Sequence, residues 1–149
     1  MAFCFSSAGV VGVATMVLGA LVRSLALHKP LPLGGRTALD GLESFALYLP
    51  VCFVLEEVVF RGALDSHVFQ PGDKRQWFTA FLISTLWGWW HLPIAGATDL
   101  PHLITYIILL PCIHIAVGVF LSLSWRRGNN LAVPATVHAF IDAVRNMLA

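Results

Sequence analysis

The chain has 149 residues, of which 58% are hydrophobic and only 11% are charged, and its formal net charge is +1. Soluble domains carry roughly a quarter of charged residues, so this composition excludes an ordinary soluble protein and indicates a membrane protein. Phosphate binding needs Lys and Arg clustered on one face. The chain has no basic run, which excludes nucleic acid as a partner.

Five apolar segments are predicted to form membrane helices. The first covers residues 8–22, and because residues 1–7 hold no basic side chain, it is predicted to be a membrane helix rather than a secretory signal. The others cover residues 42–60, 78–92, 103–125 and 131–148. The expected fold is an all-α, polytopic transmembrane bundle of about five helices, a single membrane domain over residues 1–149 within a lipid bilayer.

Charged residues interrupt the second of these segments at Glu56, Glu57 and Arg61. Carboxylates at membrane depth are costly, so they indicate a function or a structural pair. Glu57 and Arg61 are four residues apart on one helical face and are predicted to form a structural ion pair. Glu56 points about 100° away and is free to act as a general base on water.

His91 closes the third apolar segment and is predicted to face Glu56. The midpoint between positions 56 and 91 falls at Asp73 and Lys74, within the turn that begins Pro71-Gly72-Asp73. In a helical hairpin, residues equally far from the turn lie at the same depth, provided that the Glu56 helix continues past its apolar run. His91 can then orient the water or relay its proton.

The last apolar segment carries His138 and Asp142, which are four residues apart and share a helical face. Counting from the turn next to each residue places His138 and Glu56 about 10 Å apart in depth. Helices that protrude unequally from the membrane could remove this difference. His138 is a candidate donor to an oxyanion. Asp142, as a carboxylate, is expected to orient His138, or else to pair with Arg145.

Three ordered motifs carry a resemblance to a known family. The chain has Glu-Glu-x-x-x-Arg at residues 56–61, Trp-x-x-x-His at 87–91 and His-x-x-x-Asp at 138–142. Over residues 45–145 this pattern resembles the CPBP family of intramembrane glutamic endopeptidases, which includes the CAAX-processing proteases and the bacterial Abi-type proteins. The motif triple is much more specific than any single motif.

The resemblance implies a peptide hydrolase in which Glu56 and His91 activate water and His138 with Asp142 forms the oxyanion site. Glu57 and Arg61 would hold the first motif in place, with no metal or other cofactor. The chain departs from the family pattern at Trp87, where Phe is usual, and at Asp142, where the best-understood members have Asn. Its short length is similar to that of small bacterial members, which implies a bacterial cytoplasmic membrane and a membrane-anchored protein or peptide cut near its C-terminal tail.

Three alternative functions stay open. A zinc-dependent membrane protease would use Glu56, His91, His138 and Asp142 as ligands, although the chain lacks His-Glu-x-x-His. A thiol enzyme would use Cys52 or Cys112, which lie in apolar stretches without the basic or exposed setting that activates a thiol. A non-proteolytic membrane binding protein, such as a bacteriocin-immunity protein or a sensor regulator, would need no catalytic carboxylate.

The remaining histidines and the tryptophans are assigned no catalytic role. Histidines at loop or interface positions are far more often solvated or packed than functional, and tryptophans more often anchor a helix at the interface. The histidines in question are His28, His67, His102 and His114. A groove lined by Trp87 or Trp90 beside His91 is a weaker prediction.

Overall fold

A computed structural model describes residues 1–28, 37–72 and 74–148 of the chain. These residues form five long helices and no strand: α1 at residues 2–27, α2 at Ala38–Val68, α3 at Gln76–Trp90, α4 at Leu100–Gly128 and α5 at Ala132–Met147. A short 3₁₀ turn, Leu92–Ile94, follows α3. The predicted all-α bundle of about five helices is confirmed. Most of the predicted linker between the first two helices, and Asp73 of the predicted turn, lie outside the described residues.

Three of the helices are long and apolar enough to cross a membrane. They contain the spans Ala2–Val22, Ala38–Val68 and Leu100–Gly128. The other two, α3 and α5, have 15 and 16 residues, fewer than the roughly 20 that a full crossing takes. Large apolar side chains cover the outside of the bundle, as expected where the outer face contacts lipid. Among the described residues, five charged side chains are buried inside it: Glu56, Glu57, Arg61, Asp65 and Asp142.

The helix ends follow local capping chemistry. Thr37 and Asp40 form a reciprocal capping box at the start of α2, and the Asp99 carboxylate accepts a hydrogen bond from the His102 backbone N–H at 2.9 Å to start α4. Asn129, in the left-handed conformation at φ 45°, ends α4. Because residues 61–68 contain no strong helix breaker, α2 continues well past its apolar run, as the hairpin prediction requires.

The middle of α2 is wound more widely than an α-helix. Residues Cys52–Asp65 form a π-helical stretch, in which hydrogen bonds link each residue to the one five positions away. Its buried face includes Cys52, Glu56, Arg61 and Asp65, at intervals of four, five and four residues. This longer repeat keeps three charged groups and a thiol on the inward face of one helix.

Two glycines allow α3 and α4 to approach closely. A Cβ atom at Gly88 would lie 2.6 Å from Cα of Pro111, and one at Gly118 would lie 2.6 Å from Oγ of Ser84. Small residues at such crossings let helix backbones pack against each other in membranes. The α3–α4 hairpin is thereby fixed, and with it the position of Trp87 and His91 at the end of α3.

Candidate active site

The described structure brings all six residues predicted for the site into one cluster between α2, α3 and α5. Five of them are buried: Glu56, Glu57, Arg61, His138 and Asp142. The sixth, His91, is partly buried at the end of α3, with 17% of its side chain exposed. Titratable groups from three separate segments therefore form a single polar site inside an apolar bundle.

The carboxylate of Glu56 is the centre of this cluster. Its Oε2 atom lies 3.7 Å from Nε2 of His91 and 3.8 Å from Nε2 of His138. The indole N–H of Trp87 donates a hydrogen bond to the same oxygen. The Glu56–His91 approach agrees with the hairpin prediction, and both histidine distances are too long for direct hydrogen bonds but suit one bridging water.

The ring of His91 is oriented by the backbone of its own helix. Its Nδ1 lies 2.9 Å from the carbonyl oxygen of Trp87. A carbonyl only accepts hydrogen bonds, so Nδ1 carries the proton and donates. In the neutral ring, Nε2 is then left as an acceptor facing Glu56, which is the state that a proton relay needs.

Glu57 has two partners rather than the single one predicted. Its Oε1 accepts a hydrogen bond from Nη1 of Arg61 at 3.2 Å, so the predicted ion pair is present. The same oxygen lies 2.9 Å from Nδ1 of His138. Asp142 was expected to orient His138; the structure places the Glu57 carboxylate against Nδ1 and Asp142 on the other side of the same ring.

Asp142 instead lies between Arg145 and the far side of the His138 ring. Its Oδ1 accepts from Nη1 of Arg145 at 2.9 Å, as one of the two sequence interpretations proposed. Its Oδ2 lies 3.7 Å from Nε2 of His138 and 3.6 Å from Sγ of Cys52, whose thiol donates to it. The depth difference of about 10 Å predicted between Glu56 and His138 does not keep their side chains apart, since Nε2 of His138 lies 3.8 Å from Oε2 of Glu56.

Two residues of the site were missed from the sequence. Trp87 was assigned to packing, yet it donates to Glu56 and its ring lies 4.4 Å beneath the Arg61 guanidinium. His114 was assigned no role, yet its ring centroid lies 4.3 Å from that of His91 and 4.6 Å from that of Trp87. The signal for His114 was available: it interrupts the apolar run of α4 in the same way as Glu56 interrupts that of α2.

An apolar cavity of about 310 Å³ opens beside the cluster. Trp87, His91, His114, His138, Asp142 and Arg145 contribute its polar wall. Its apolar wall consists of Met16, Ile94, Ala95, Leu110, Ile113, Val117 and Ile141. A mostly apolar pocket with a few converging polar groups is typical of binding and active sites.

A second polar cluster, the end cluster, lies nine residues further along α2 and was also missed. Asp65, which is fully buried, accepts hydrogen bonds from Nε and Nη2 of Arg126 at the end of α4. Arg126 also donates to Oγ1 of Thr79 at 3.0 Å and to the carbonyl oxygen of Gln76. Its guanidinium lies 4.3 Å above the ring of Phe69. This cluster ties α2, α3 and α4 together away from the cavity.

Comparison with known protein families finds a match. The family model described as Type II CAAX prenyl endopeptidase Rce1-like matches residues 40–144, which is more than half of the chain. The matched region contains every residue of the buried cluster around Glu56. No curated protein matches the chain, and no solved structure matches it either.

Proposed function

The chain belongs to the Rce1-like family of type II CAAX prenyl endopeptidases, within the CPBP group of intramembrane proteases, and we propose that it cleaves by a glutamic mechanism. In this mechanism Glu56 and His91 activate a water molecule. The proposed substrate is a membrane-anchored protein or peptide, cut near its C-terminal tail. The proposed location is a bacterial cytoplasmic membrane.

One observation carries the mechanism: Oε2 of Glu56 lies at nearly equal distances, 3.7 and 3.8 Å, from Nε2 of two histidines on different helices. Both distances are longer than a hydrogen bond, so neither histidine bonds directly to the Glu56 carboxylate. A water between Glu56 and His91 would bond to both. Glu56 would then lie within hydrogen-bond reach of the water, as a general base must, and His91 would orient the same water.

In the proposed reaction, Glu56 takes a proton from the water while the oxygen of that water attacks the scissile carbonyl carbon. His91, held by the Trp87 carbonyl, orients the water through Nε2 and can exchange its proton. When the carbon–nitrogen bond breaks, the proton carried by Glu56 passes to the leaving amine. The Trp87 N–H steadies the Glu56 carboxylate through both steps.

His138 is proposed to stabilise the charge that develops on the carbonyl oxygen. Its Nδ1 bonds to Glu57, so its Nε2 faces the space beside Glu56. When both ring nitrogens carry protons, Nε2–H can donate to the oxyanion. Arg61 binds the same Glu57 oxygen and lies over the Trp87 ring. These two contacts hold Arg61 and Glu57 in place, and Glu57 in turn orients His138.

The cavity supports a substrate that arrives within the bilayer. Its wall is mainly apolar, and it is lined by side chains from α1, α3, α4 and α5, with His91 and His138 at its polar side. A segment next to a lipid-embedded anchor can fill such a pocket without exposing apolar surface to water. The half-exposed Arg145, which borders the same cavity, provides a positive charge near the place where a C-terminal tail would enter.

The test is cleavage of membrane-anchored reporter proteins in cells that carry wild-type, Glu56→Gln or His91→Ala protein, repeated with purified protein with and without a chelator. We expect both substitutions to abolish cleavage and the chelator to spare it. Loss of cleavage with the chelator would indicate a zinc-dependent protease instead. Biological activity that survives Glu56→Gln would indicate a non-proteolytic binding protein.

A further inference from the structure

Cys52 is a buried thiol that the proposed reaction does not use, although it lies against the catalytic cluster. It sits one helical turn before Glu56 on the inward face of α2. Its Sγ atom lies 3.6 Å from Oδ2 of Asp142, and Oδ2 lies 3.7 Å from Nε2 of His138. The ligand atoms of these three side chains all lie within 4.8 Å of one another.

We infer that Cys52, His138 and Asp142 form a site for a thiophilic divalent cation such as Zn²⁺, and that the bound cation inhibits the protease. Zinc bonds to sulfur, nitrogen and oxygen are 2.0 to 2.3 Å long, which places tetrahedral ligand atoms about 3.3 to 3.7 Å apart. The sulfur–oxygen separation of 3.6 Å fits this range, and the nitrogen–oxygen separation of 3.7 Å lies at its upper end and has to shorten slightly. The binding is a prediction about these three residues alone, whereas the inhibition rests on the proposed function.

The groups around the three ligands already hold them as a metal site would. Metal-binding histidines usually donate their other ring N–H to a carboxylate, and Nδ1 of His138 lies 2.9 Å from Oε1 of Glu57. Ligating carboxylates are usually hydrogen-bonded as well, and Oδ1 of Asp142 accepts from Arg145 at 2.9 Å. These contacts leave Nε2 of His138 and Oδ2 of Asp142 facing Cys52.

The charges and the access route also suit a cation. A thiolate, a carboxylate and a neutral imidazole together carry two negative charges, which one Zn²⁺ neutralises inside the bundle. Binding releases the thiol proton of Cys52 to water. His138 and Asp142 both line the cavity, so the cation has a path to the site.

Inhibition follows from which atoms the cation would occupy. A cation on Nε2 of His138 blocks the atom proposed to donate to the oxyanion. Oε2 of Glu56, 3.8 Å from that Nε2, can take the fourth position and would then be unable to accept a proton from water. The same chain would therefore cleave without metal and stop when zinc binds.

The first experiment uses Co²⁺ as a spectroscopic probe on the purified, full-length protein, because a cysteine thiolate bound to Co²⁺ gives a ligand-to-metal charge-transfer band. We expect one Co²⁺ per chain with this band, displaced by Zn²⁺. The band should persist in the Cys4→Ala, Cys112→Ala double variant, in which Cys52 is the sole remaining cysteine. It should vanish in Cys52→Ala, with binding weakened at least about tenfold.

The double variant keeps the test decisive even where Cys52→Ala fails to fold, since its band can come from Cys52 alone. No band in the wild-type protein, or a band that survives in folded Cys52→Ala, would overturn the site. The spectrum requires no turnover, so it is independent of whether the proposed protease function is correct.

The second experiment measures cleavage of the membrane-anchored reporter over a Zn²⁺ titration. Wild type and Cys112→Ala should lose cleavage at the Zn²⁺ concentrations that displace Co²⁺, whereas Cys52→Ala should resist at least about tenfold more Zn²⁺. Equal sensitivity of Cys52→Ala and wild type would overturn inhibition through this site. Cleavage that disappears when metal is removed would overturn it as well, because the metal would then be a cofactor.

Discussion

Two polar clusters lie on the same face of α2, nine residues apart, and they differ in how completely their hydrogen bonds are satisfied. In the end cluster, both oxygens of Asp65 bond to Arg126, which also bonds to Thr79 and Gln76. In the cluster around Glu56, Nε2 of His91 and Nε2 of His138 lie 3.7 and 3.8 Å from Oε2 of Glu56, which is too far for a hydrogen bond. Glu57 Oε2 and Arg61 Nε have no hydrogen-bond partner among the described residues.

We propose that this difference separates a structural cluster from a reactive one. A buried polar network that is fully satisfied fixes the packing of its helices and has no group left to bind anything else. Buried polar groups that lack partners are rare in folded proteins and need an explanation, such as catalysis or a bound water. Both clusters place carboxylates inside an apolar bundle, but only the cluster around Glu56 opens on the cavity.

The largest expected effect is that of Glu56→Gln, which keeps the shape of the side chain and removes its basicity. We expect cleavage to fall by about 10² to 10⁴, the usual contribution of a general base, with thermal stability nearly unchanged. Reporter cleavage by purified protein and a melting curve in detergent measure the two quantities. The exposed Glu43→Gln on the same helix is the matched control and should cleave at the wild-type rate.

The isosteric substitution at the other cluster, Asp65→Asn, should have the opposite pattern. It leaves Arg126, whose side chain is 3% exposed, without its counter-charge, at a cost of about 3 to 5 kcal/mol in stability. Cleavage per folded molecule should stay close to wild type. Asp99→Asn is the control, because Asn also caps helices well and the Asp99–His102 pair is exposed. A stable Asp65→Asn protein without activity would contradict the division between the two clusters.

A smaller effect is expected from His91→Gln. Glutamine can still orient a water but cannot exchange its proton, so we expect cleavage to fall by about 10², the lower end of the range for general acid–base groups. Single-turnover rates of reporter cleavage measure this loss. The exposed His102→Gln serves as the control. A wild-type rate in His91→Gln would remove His91 from the proposed mechanism.

The smallest effect is expected from Asp142→Asn, although this position belongs to the predicted site. The substitution weakens the pair with the half-exposed Arg145 and leaves the Glu57–His138 contact intact. Cleavage should therefore fall by less than about tenfold. A loss as large as that in Glu56→Gln would show that the Asp142 carboxylate itself takes part in the reaction.

Much of the site could be predicted because charged residues inside apolar segments are visible in the sequence and are costly to place in a membrane. Charged and titratable residues inside apolar segments identified Glu56, Glu57, Arg61, His91 and His138, and hairpin arithmetic paired Glu56 with His91. The same rule applied to His114 would have found it as well. Trp87 could not be recognised in this way, because tryptophan is an ordinary residue of apolar helices. Its role appears only in the structure, where its N–H donates to Glu56.

The amino-acid sequence alone determined that this protein is an all-α membrane bundle, and which segments carry its polar groups, because hydrophobicity and helical periodicity are local properties. Only the tertiary structure decided which groups meet between helices that are distant in the chain. Glu57 contacts Nδ1 of His138, Asp65 pairs with Arg126, and Cys52 lies beside His138 and Asp142. Such choices depend on the depth and rotation of each helix against its neighbours, to which the π-helical winding of α2 and the close α3–α4 packing contribute.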